Sequence, residues 1–531
     1  MENNDSLAVP RIVRIGTVGP KKIADERSVR KNIVKVLRII DEKLKNTPHA
    51  FLAVSPLSEG FDRLLTQEIL NFAVSNKIQD NSLEIIFQNK PSSTESLSET
   101  EDFIKMAVSK RNLKSVLKEE AYTTREEFYT LAGQVVADDC DILIALSDRN
   151  RKDDGDTVKI IDYARKNVGR SIFFIDPQTG VVSEEENDDH TLRNLKYHDL
   201  YNFESVLSYA EIKKAQQKDY GYVYDKINSL NIPEEVLDRL NNNFFMQLVR
   251  ADLLALHYQF RHMVSINMVY YFSVLAVAMV TFKVIFTPHF SIVLIAEAIL
   301  MLTIVLILLR NKSHDWHRKW IDYRFLAERL RSGLIFSVVG MECEIYDPLP
   351  HLRSHNDWTS EVYQWIHQSQ KDSGFPMIDF EVAKKFILVH WIDDQIDYYN
   401  IKSNENWVKH QRITNAIYIL FIGAFVGAFT NAILTYGGYH LYILSKSLAF
   451  VAIVFPAIAA TLAGIRIQHE YSRNSKRFTY MEIYLKKVRY EIGKTKTMEK
   501  LKLILEKTNK MTLREQQDWR ALIAIHEPEP P

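Results

Sequence analysis

Hydrophobic and polar positions follow two different rhythms along the chain. From Met1 to about Asn187, short apolar runs alternate with amphipathic segments. Arg11–Gly16 (RIVRIG), Ala50–Ser55 (AFLAVS), Leu83–Phe87 (LEIIF), Asp141–Leu146 (DILIAL) and Ser171–Ile175 (SIFFI) are bounded by polar or turn residues and read as buried strands. Helical periodicity fills the intervals, at Glu26–Leu44, Phe61–Val74, about Arg125–Val136 and Thr157–Arg165. Alternating β and α segments predict an α/β doubly wound, Rossmann-like sheet. The polar stretch Asn89–Thr100 (NKPSSTESLSET) breaks the order and predicts a loop leading to an extra helix near Glu101–Leu117.

Further on the rhythm changes. Val264–Phe286, Phe290–Leu309, Ile413–Leu434 and Leu441–Ile465 are continuous apolar stretches, each close to the roughly 20 residues a helix needs to cross a bilayer. Phe290–Leu309 (FSIVLIAEAILMLTIVLILL) has no polar face, which separates it from a buried core helix. The spans pair into two hairpins with short connections, Thr287-Pro288-His289 and Thr435–His440, neither holding Lys or Arg. The other flanks are basic: Arg261, Arg310, Lys312, Lys409, Arg412, Arg466 and Arg473. The positive-inside rule places both termini and the long middle segment in the cytoplasm, with the spans in a cell inner membrane. So little chain outside speaks against a receptor for extracellular ligands.

Glu297 lies well inside the second span, where an ionisable residue is costly and faces the bundle interior, a water-filled path or a partner. It is the pore candidate, and Lys283 and Lys446 are its candidate ion-pair partners. Gly423 with Gly427, and Ala460 with Gly464, have the small-xxx-small spacing that lets helices approach closely. Pro456 is expected to kink the fourth span. Four spans are few for alternating access, so a pore assembled from several copies is the easier construction.

Composition narrows the classes. The 531 residues carry 67 Lys+Arg and 67 Asp+Glu, a balance that argues against bulk nucleic-acid binding. The length calls for at least two domains. The two cysteines, Cys140 and Cys343, form no CxxC and fit a reducing compartment. MENNDSLAVPRIVRI lacks the basic-then-apolar pattern of a signal peptide. The domain reading is 1–187 for a sensing domain, 188–262 for a helical coupling region and 263–333 for the first hairpin with its helix. A helical segment at 334–411, the second hairpin with its helix at 412–490 and a C-terminal helix and tail at 491–531 complete it.

In a doubly wound sheet, ligands bind beyond the carboxyl ends of the strands. Three glycine-bearing junctions qualify: Gly16-Thr17-Val18-Gly19, Ser55-Pro56-Leu57-Ser58-Glu59-Gly60, and Ser147-Asp148 running to Gly155-Asp156-Thr157. Glycines and helix N-termini present backbone N–H groups to a phosphate. The candidate ligand-binding residues are Gly16, Gly19, Ser55, Leu57, Glu59, Gly60, Asp62, Arg63, Asp148, Gly155 and Thr157. Glu59 or Asp62 would accept ribose hydroxyls, and Arg63 would pair with phosphate or with a helix neighbour. Neither GxGxxG nor GxxxxGK[ST] is present. Asp148, Asp153, Asp154 and Asp156 miss the EF-hand spacing and read as a solvated loop. No cofactor or metal is expected.

These motifs carry a resemblance. VSPLSEGFDRL, Val54–Leu64, is similar to the SxLAEGADRL element of SLOG domains, in the lonely-guy and DprA-like Rossmannoid superfamily. YTLAGQVVADDCDILIAL followed by GDTVKIIDYAR resembles that family's fourth strand and Gly-Gly-Thr helix start. GTVG matches only the glycines of the family's GxxGHR, with Lys21 and Lys22 where His-Arg is usual. The resemblance covers about residues 10–180. The membrane part resembles the SLOG-associated transmembrane effector modules of bacterial conflict systems, because each hairpin continues into a basic, aromatic helix. These are HDWHRKWIDYRFLAERLRSG, His314–Gly333, and HEYSRNSKRFTYMEIYLKKV, His469–Val488, whose likeness suggests an internal repeat.

The resemblance implies an antiphage membrane effector. Its sensor binds a nucleotide-derived second messenger, such as a cyclic ADP-ribose isomer, made by a TIR or nucleotidyltransferase partner enzyme. Binding would drive homo-oligomer formation and permeabilisation of the lipid bilayer. Relatives in the lonely-guy branch hydrolyse nucleoside monophosphates with an Arg and the Glu of PGGxGTxxE. Here Asp156 replaces the second Gly and Ile160 stands where the Glu would fall, which favours sensing. The alternatives are a membrane-tethered nucleotide or NAD hydrolase, with Glu59 as base, and a constitutive channel or scaffold.

Overall fold

The computed structural model describes residues 9–45, 48–72, 82–86, 113–114, 125–149, 155–168, 171–185, 201, 206–218, 220–221, 225, 227, 230, 233–288, 292–341, 358–373, 378–439 and 441–525. Two compact units emerge: Met1–Ser205 with Asp347–Gln368, and Val206–Tyr346 with Ser369–Pro531.

The first unit is built on a mixed seven-stranded sheet. Its strands are β1 (Arg11–Val18), β2 (His49–Ser55), β3 (Ser82–Ile86), β4 (Leu113–Lys114), β5 (Ile142–Leu146), β6 (Ser171–Ile175) and β7 (Val182–Glu185). The order is β4-β3-β2-β1-β5-β6-β7, with every pairing parallel except β6 with β7. Helices α1 (Glu26–Lys43) and α2 (Phe61–Asn71) cover one face, and α3 (Arg125–Asp139) and α4 (Asp156–Tyr163) cover the other. Strand alternation sorts the core. Phe51 and Ala53 pack with Ile33, Leu37 and Leu65, while Leu52 and Val54 pack with Val136 and Ile160. Every residue of β2 is buried, as a central strand covered on both faces requires. Asp25 starts α1 by accepting the Ser28 N–H at 3.1 Å.

Three features of this unit differ from expectation. The helix set near Glu101–Leu117 lies outside the described residues except for Leu113 and Lys114, which pair with β3 as a short strand instead. β7 (VSEE) carries no apolar run and was not expected. It is held at the edge by its charges, Lys43 to Glu184 at 2.6 Å and Arg165 to Glu185 at 2.8 Å. Asp347–Gln368, within the expected segment 334–411, also falls in this unit. Trp358, Val362, Tyr363 and Ile366 are all buried, and the Trp358 ring lies 5.4 Å from that of Tyr201.

The second unit is helical: α5 (Tyr209–Lys218), α6 (Glu234–Arg239), α7 (Met246–Phe286), α8 (Ile292–Ser313) and α9 (Trp316–Val338). After α10 (Trp358–Ser373), which begins in the first unit, come α11 (Phe380–Ile387), α12 (Asp394–Tyr436), α13 (Tyr442–Gln468), α14 (Tyr471–Lys494) and α15 (Met498–Ile525). Among the described residues four helices are long and apolar enough to cross a membrane, and they overlap the four apolar stretches read from the sequence. Their outer surfaces are apolar: Ile295, Ile299 and Leu302 of α8 and Ile419, Phe425 and Phe429 of α12 are exposed. A protein surrounded only by water avoids so wide an apolar surface. α7 has 41 residues, about 60 Å of helix, roughly twice the hydrocarbon core of a bilayer. Its first half is therefore a stalk, buried from Met246 to Val249 against neighbouring helices.

The small residues of the spans serve close packing. A Cβ at Gly423 would lie 3.1 Å from the Phe455 ring, and one at Gly427 3.4 Å from Val451, so both let α12 close on α13. A Cβ at Gly464 would lie 2.6 Å from the Tyr270 ring, which seats α13 against α7. α13 runs on through Pro456 as one helix.

The suggested repeat is visible in the backbone. A short helix, a π-helical stretch (Leu240–Phe245 or Leu388–Asp393) and a long helix come first. A return helix and a following helix complete each module, in the same order twice. The joint before the last helix is matched in detail. Asp315 and Glu470 take left-handed φ values of 49° and 48°. The preceding histidines stack on the following aromatics, His314 on Trp316 at 5.5 Å and His469 on Tyr471 at 5.0 Å. Side chains in this region cost about 1–2 kcal/mol unless Gly, and β-branching adds to the cost. Asp315→Val and Glu470→Val are therefore expected to unfold earlier than Asp315→Gly and Glu470→Gly, by roughly 2 kcal/mol at each joint, as read from thermal denaturation of the detergent-solubilised chain.

Candidate functional site

β2, β1 and β5 are adjacent and parallel, so their carboxyl ends share one edge of the sheet. All three glycine junctions follow these strands and are thereby brought to that edge. The first two are locked together. Gly60 has φ +88° and a Cβ there would lie 2.3 Å from the Lys21 carbonyl oxygen, so only glycine fits. The Phe61 N–H donates to the Pro20 carbonyl at 3.2 Å. Gly19 lies against the Phe61 ring, and Gly16 lies against Cys140 and Val136. Close packing thus accounts for each of these glycines directly.

Hydroxyls and one carboxyl fill the space between the loops. Thr17 Oγ1 donates to Ser55 Oγ at 3.1 Å, and Ser55 Oγ accepts the Leu57 N–H at 3.1 Å. Leu57 takes a left-handed φ of 52°, a strained setting for a leucine, and its side chain is buried. Asp62, in the first turn of α2, is buried, and its Oδ1 has no hydrogen-bond partner among the described residues. Burial pushes its carboxyl up to about 7, against the pull of the nearby Thr17 and Ser58 hydroxyls. The edge therefore holds a carboxyl near its titration point at neutral pH, with an acceptor to spare.

The other candidates take varied positions. Glu59 is exposed. Arg63 turns back, its Nε donating to the Leu57 carbonyl at 3.2 Å. Asp148 is exposed just past β5, its carbonyl accepting from Ser147 Oγ at 3.3 Å. Gly155 caps α4 in an extended conformation and Thr157 is half-buried in the first turn. Asp153 and Asp154 lie outside the described residues. Thr17 and Ser58 were not among the candidates, although both stand inside the quoted motifs. The signal for them is the hydroxyl density flanking the one acid that α2 buries. No group of three or more His, Cys, Asp or Glu is placed to hold a metal ion among the described residues.

In the helical unit Glu297 is half-buried on α8. Lys446 rests on aromatic rings, 4.3 Å from the centre of Tyr442 and 6.0 Å from that of Phe286.

Comparison with models of known protein families, with curated proteins and with solved structures finds no match.

Asp62 carries a pH prediction. Its carboxyl sits at about 7 in the folded chain against 3.8 for an ordinary one, so the folded state holds a proton that the unfolded state has released. Stability is then lost as pH rises from about 4 to about 7, and is level above. Asp62→Asn is expected to flatten that slope, as measured by denaturant unfolding of the α/β unit within the full chain at pH 5 and pH 8. An unchanged slope would mean that Asp62 is ionised and solvated.

Proposed function

We propose that the chain is a signal-gated membrane effector of antiviral defence. The sheet is read as a doubly wound, Rossmann-like SLOG sensor that binds a nucleotide-derived second messenger at the β2-β1-β5 edge. The four apolar helices are read as the part that permeabilises an inner membrane, from a homo-oligomer with both termini in the cytoplasm. A TIR or nucleotidyltransferase partner enzyme would supply the signal, of which a cyclic ADP-ribose isomer is one form.

The observation that carries this reading is the unsatisfied, buried Asp62 acceptor between the first two strand ends. A carboxyl so placed suits a ribose hydroxyl, and the start of α4 offers free N–H groups to phosphate. Hydrolysis is less favoured, because Glu59 is exposed and lacks the water-excluding setting of a general base. Gating requires that the ligand bind the open or assembled state more tightly than the closed one.

The test uses liposomes carrying the full chain and a trapped dye, screened with cyclic ADP-ribose isomers and cyclic oligonucleotides. One of them is expected to trigger release. Asp62→Ala and Thr17→Val are expected to raise the half-maximal concentration at least about tenfold, which corresponds to ~1.4 kcal/mol of binding. Dye release without any nucleotide would support the constitutive channel, and nucleotide turnover lost in Glu59→Gln would support the hydrolase.

A further inference from the structure

A cavity of about 480 Å³ lies within the helical unit, and both modules of the repeat build its walls. Gln259 of α7 and Trp320 of α9 come from the first module, Asn406 of α12 and Tyr471 of α14 from the second, and Gln516 of α15 adds to the wall. Its charges largely cancel in place. Arg324 pairs with Glu328 at 2.5 Å, Lys402 with Glu405 at 2.9 Å, and Arg477 with Glu515. Glu470 is met by Arg473 at 2.9 Å. Lys409 is the one charged lining residue that makes no ion pair among the described residues. Gln516 is buried, yet its Oε1 has no partner among the described residues. A buried amide oxygen facing a cavity of this size and polarity calls for water.

The cavity sits where α7, α12 and α13 enter their apolar stretches. Met263 and Ile467 line it, and further along both helices α7 and α13 come into close contact. Asn267 meets His469 at 3.3 Å between Oδ1 and Nε2. Two turns beyond Met263, the Tyr270 ring is seated on Gly464 at a spacing that leaves no room for a Cβ. A polar cavity with a ring packed on glycine further along the same two helices has the form of a pore mouth before an apolar constriction, which holds water back. Repeats that run in the same direction also place transport sites at their mutual interface.

We propose that this chamber is the hydrated vestibule of a pathway for small ions between the two modules, and that Tyr270 on Gly464 is its gate. The inference rests on the effector reading and assigns the conducting route within it. Paired charges and the unpartnered Gln516 oxygen keep the chamber wet without holding an ion tightly, as conduction requires. Lys402 and then Lys409 act on the carboxylate of Glu405 and favour its charged form.

Cysteine accessibility and leak test it together, on the full chain in liposomes. Asn406→Cys and Gln516→Cys are lining probes, Leu326→Cys is a buried control and Tyr480→Cys an exposed one. A charged, water-soluble thiol reagent is added, and peptide mapping separates the introduced thiols from Cys140 and Cys343. The lining cysteines are expected to react at nearly the rate of Tyr480→Cys. Tyr270→Ala is expected to raise the signal-free ion leak about tenfold, the change that ~1.4 kcal/mol in the opening equilibrium gives. Tyr270→Phe, which keeps the ring, is expected to leak severalfold less than Tyr270→Ala. Lining cysteines as inert as Leu326→Cys would overturn the vestibule. A parent that conducts on signal while Tyr270→Ala leaks no more than it does would overturn the gate alone. Reactive lining cysteines in a chain that never conducts would overturn the effector reading and the pathway with it.

Discussion

Asp252 is the pivot of the helical unit. Its buried carboxylate on α7 meets Arg324 at 2.9 Å and Arg331 at 3.7 Å, both from α9, and accepts the Tyr220 hydroxyl. The same two guanidiniums hold Glu328, at 2.5 and 2.6 Å. Burial works against a charged Glu328, but Arg324 and Arg331 outweigh it and hold the carboxyl below its ordinary range. Removing one member of such a buried cluster costs about 3–5 kcal/mol, because its partners are left charged and unpaired. The stalk of α7, the placement of α9 and the Arg324–Glu328 wall of the cavity all hang on this cluster.

The two strand edges of the α/β unit carry different chemistry. Where β1 and β2 begin, charged groups face one another, Arg11 with Asp141 at 3.9 Å and His49 with Asp41 at 3.1 Å, and the buried Arg11 keeps Nε and Nη1 without a hydrogen-bond partner among the described residues. Where β1 and β2 end, the groups are small hydroxyls, a left-handed leucine and a carboxyl with an unused oxygen. Folds keep strain and unsatisfied polarity where they have a use for it. Both edges bury polar groups, and the edge after β1 and β2 adds the left-handed Leu57 backbone to them.

Much of this was legible in the chain. The five apolar runs correspond to the five longer strands, β1, β2, β3, β5 and β6, because strands inside a parallel sheet read as apolar runs. The four long apolar helices were legible for a similar reason, since they show no polar face. β7 was not, because its edge position is set by ion pairs with Lys43 and Arg165, far away in sequence. At the candidate site the junctions were found from glycine. The reason for Gly60 proved to be a neighbouring loop, and the unsatisfied acid emerged only once Thr17 and Ser58 were seen beside it. The cavity between the modules had no sequence signal, since its lining is scattered over 26 residues of six helices and their joints.

The matched left-handed joints at Asp315 and Glu470 have a wider consequence. Two modules share one backbone plan but fasten it differently: the first with Asp252 and Arg324, the second with Ser403, whose hydroxyl reaches the Ser475 carbonyl at 3.0 Å and Thr479 at 2.7 Å. A single hairpin assembling with its own copies would be bound to identical seams. Fused in one polypeptide, the copies amount to a covalent heterodimer, free to keep one half stiff while the other yields.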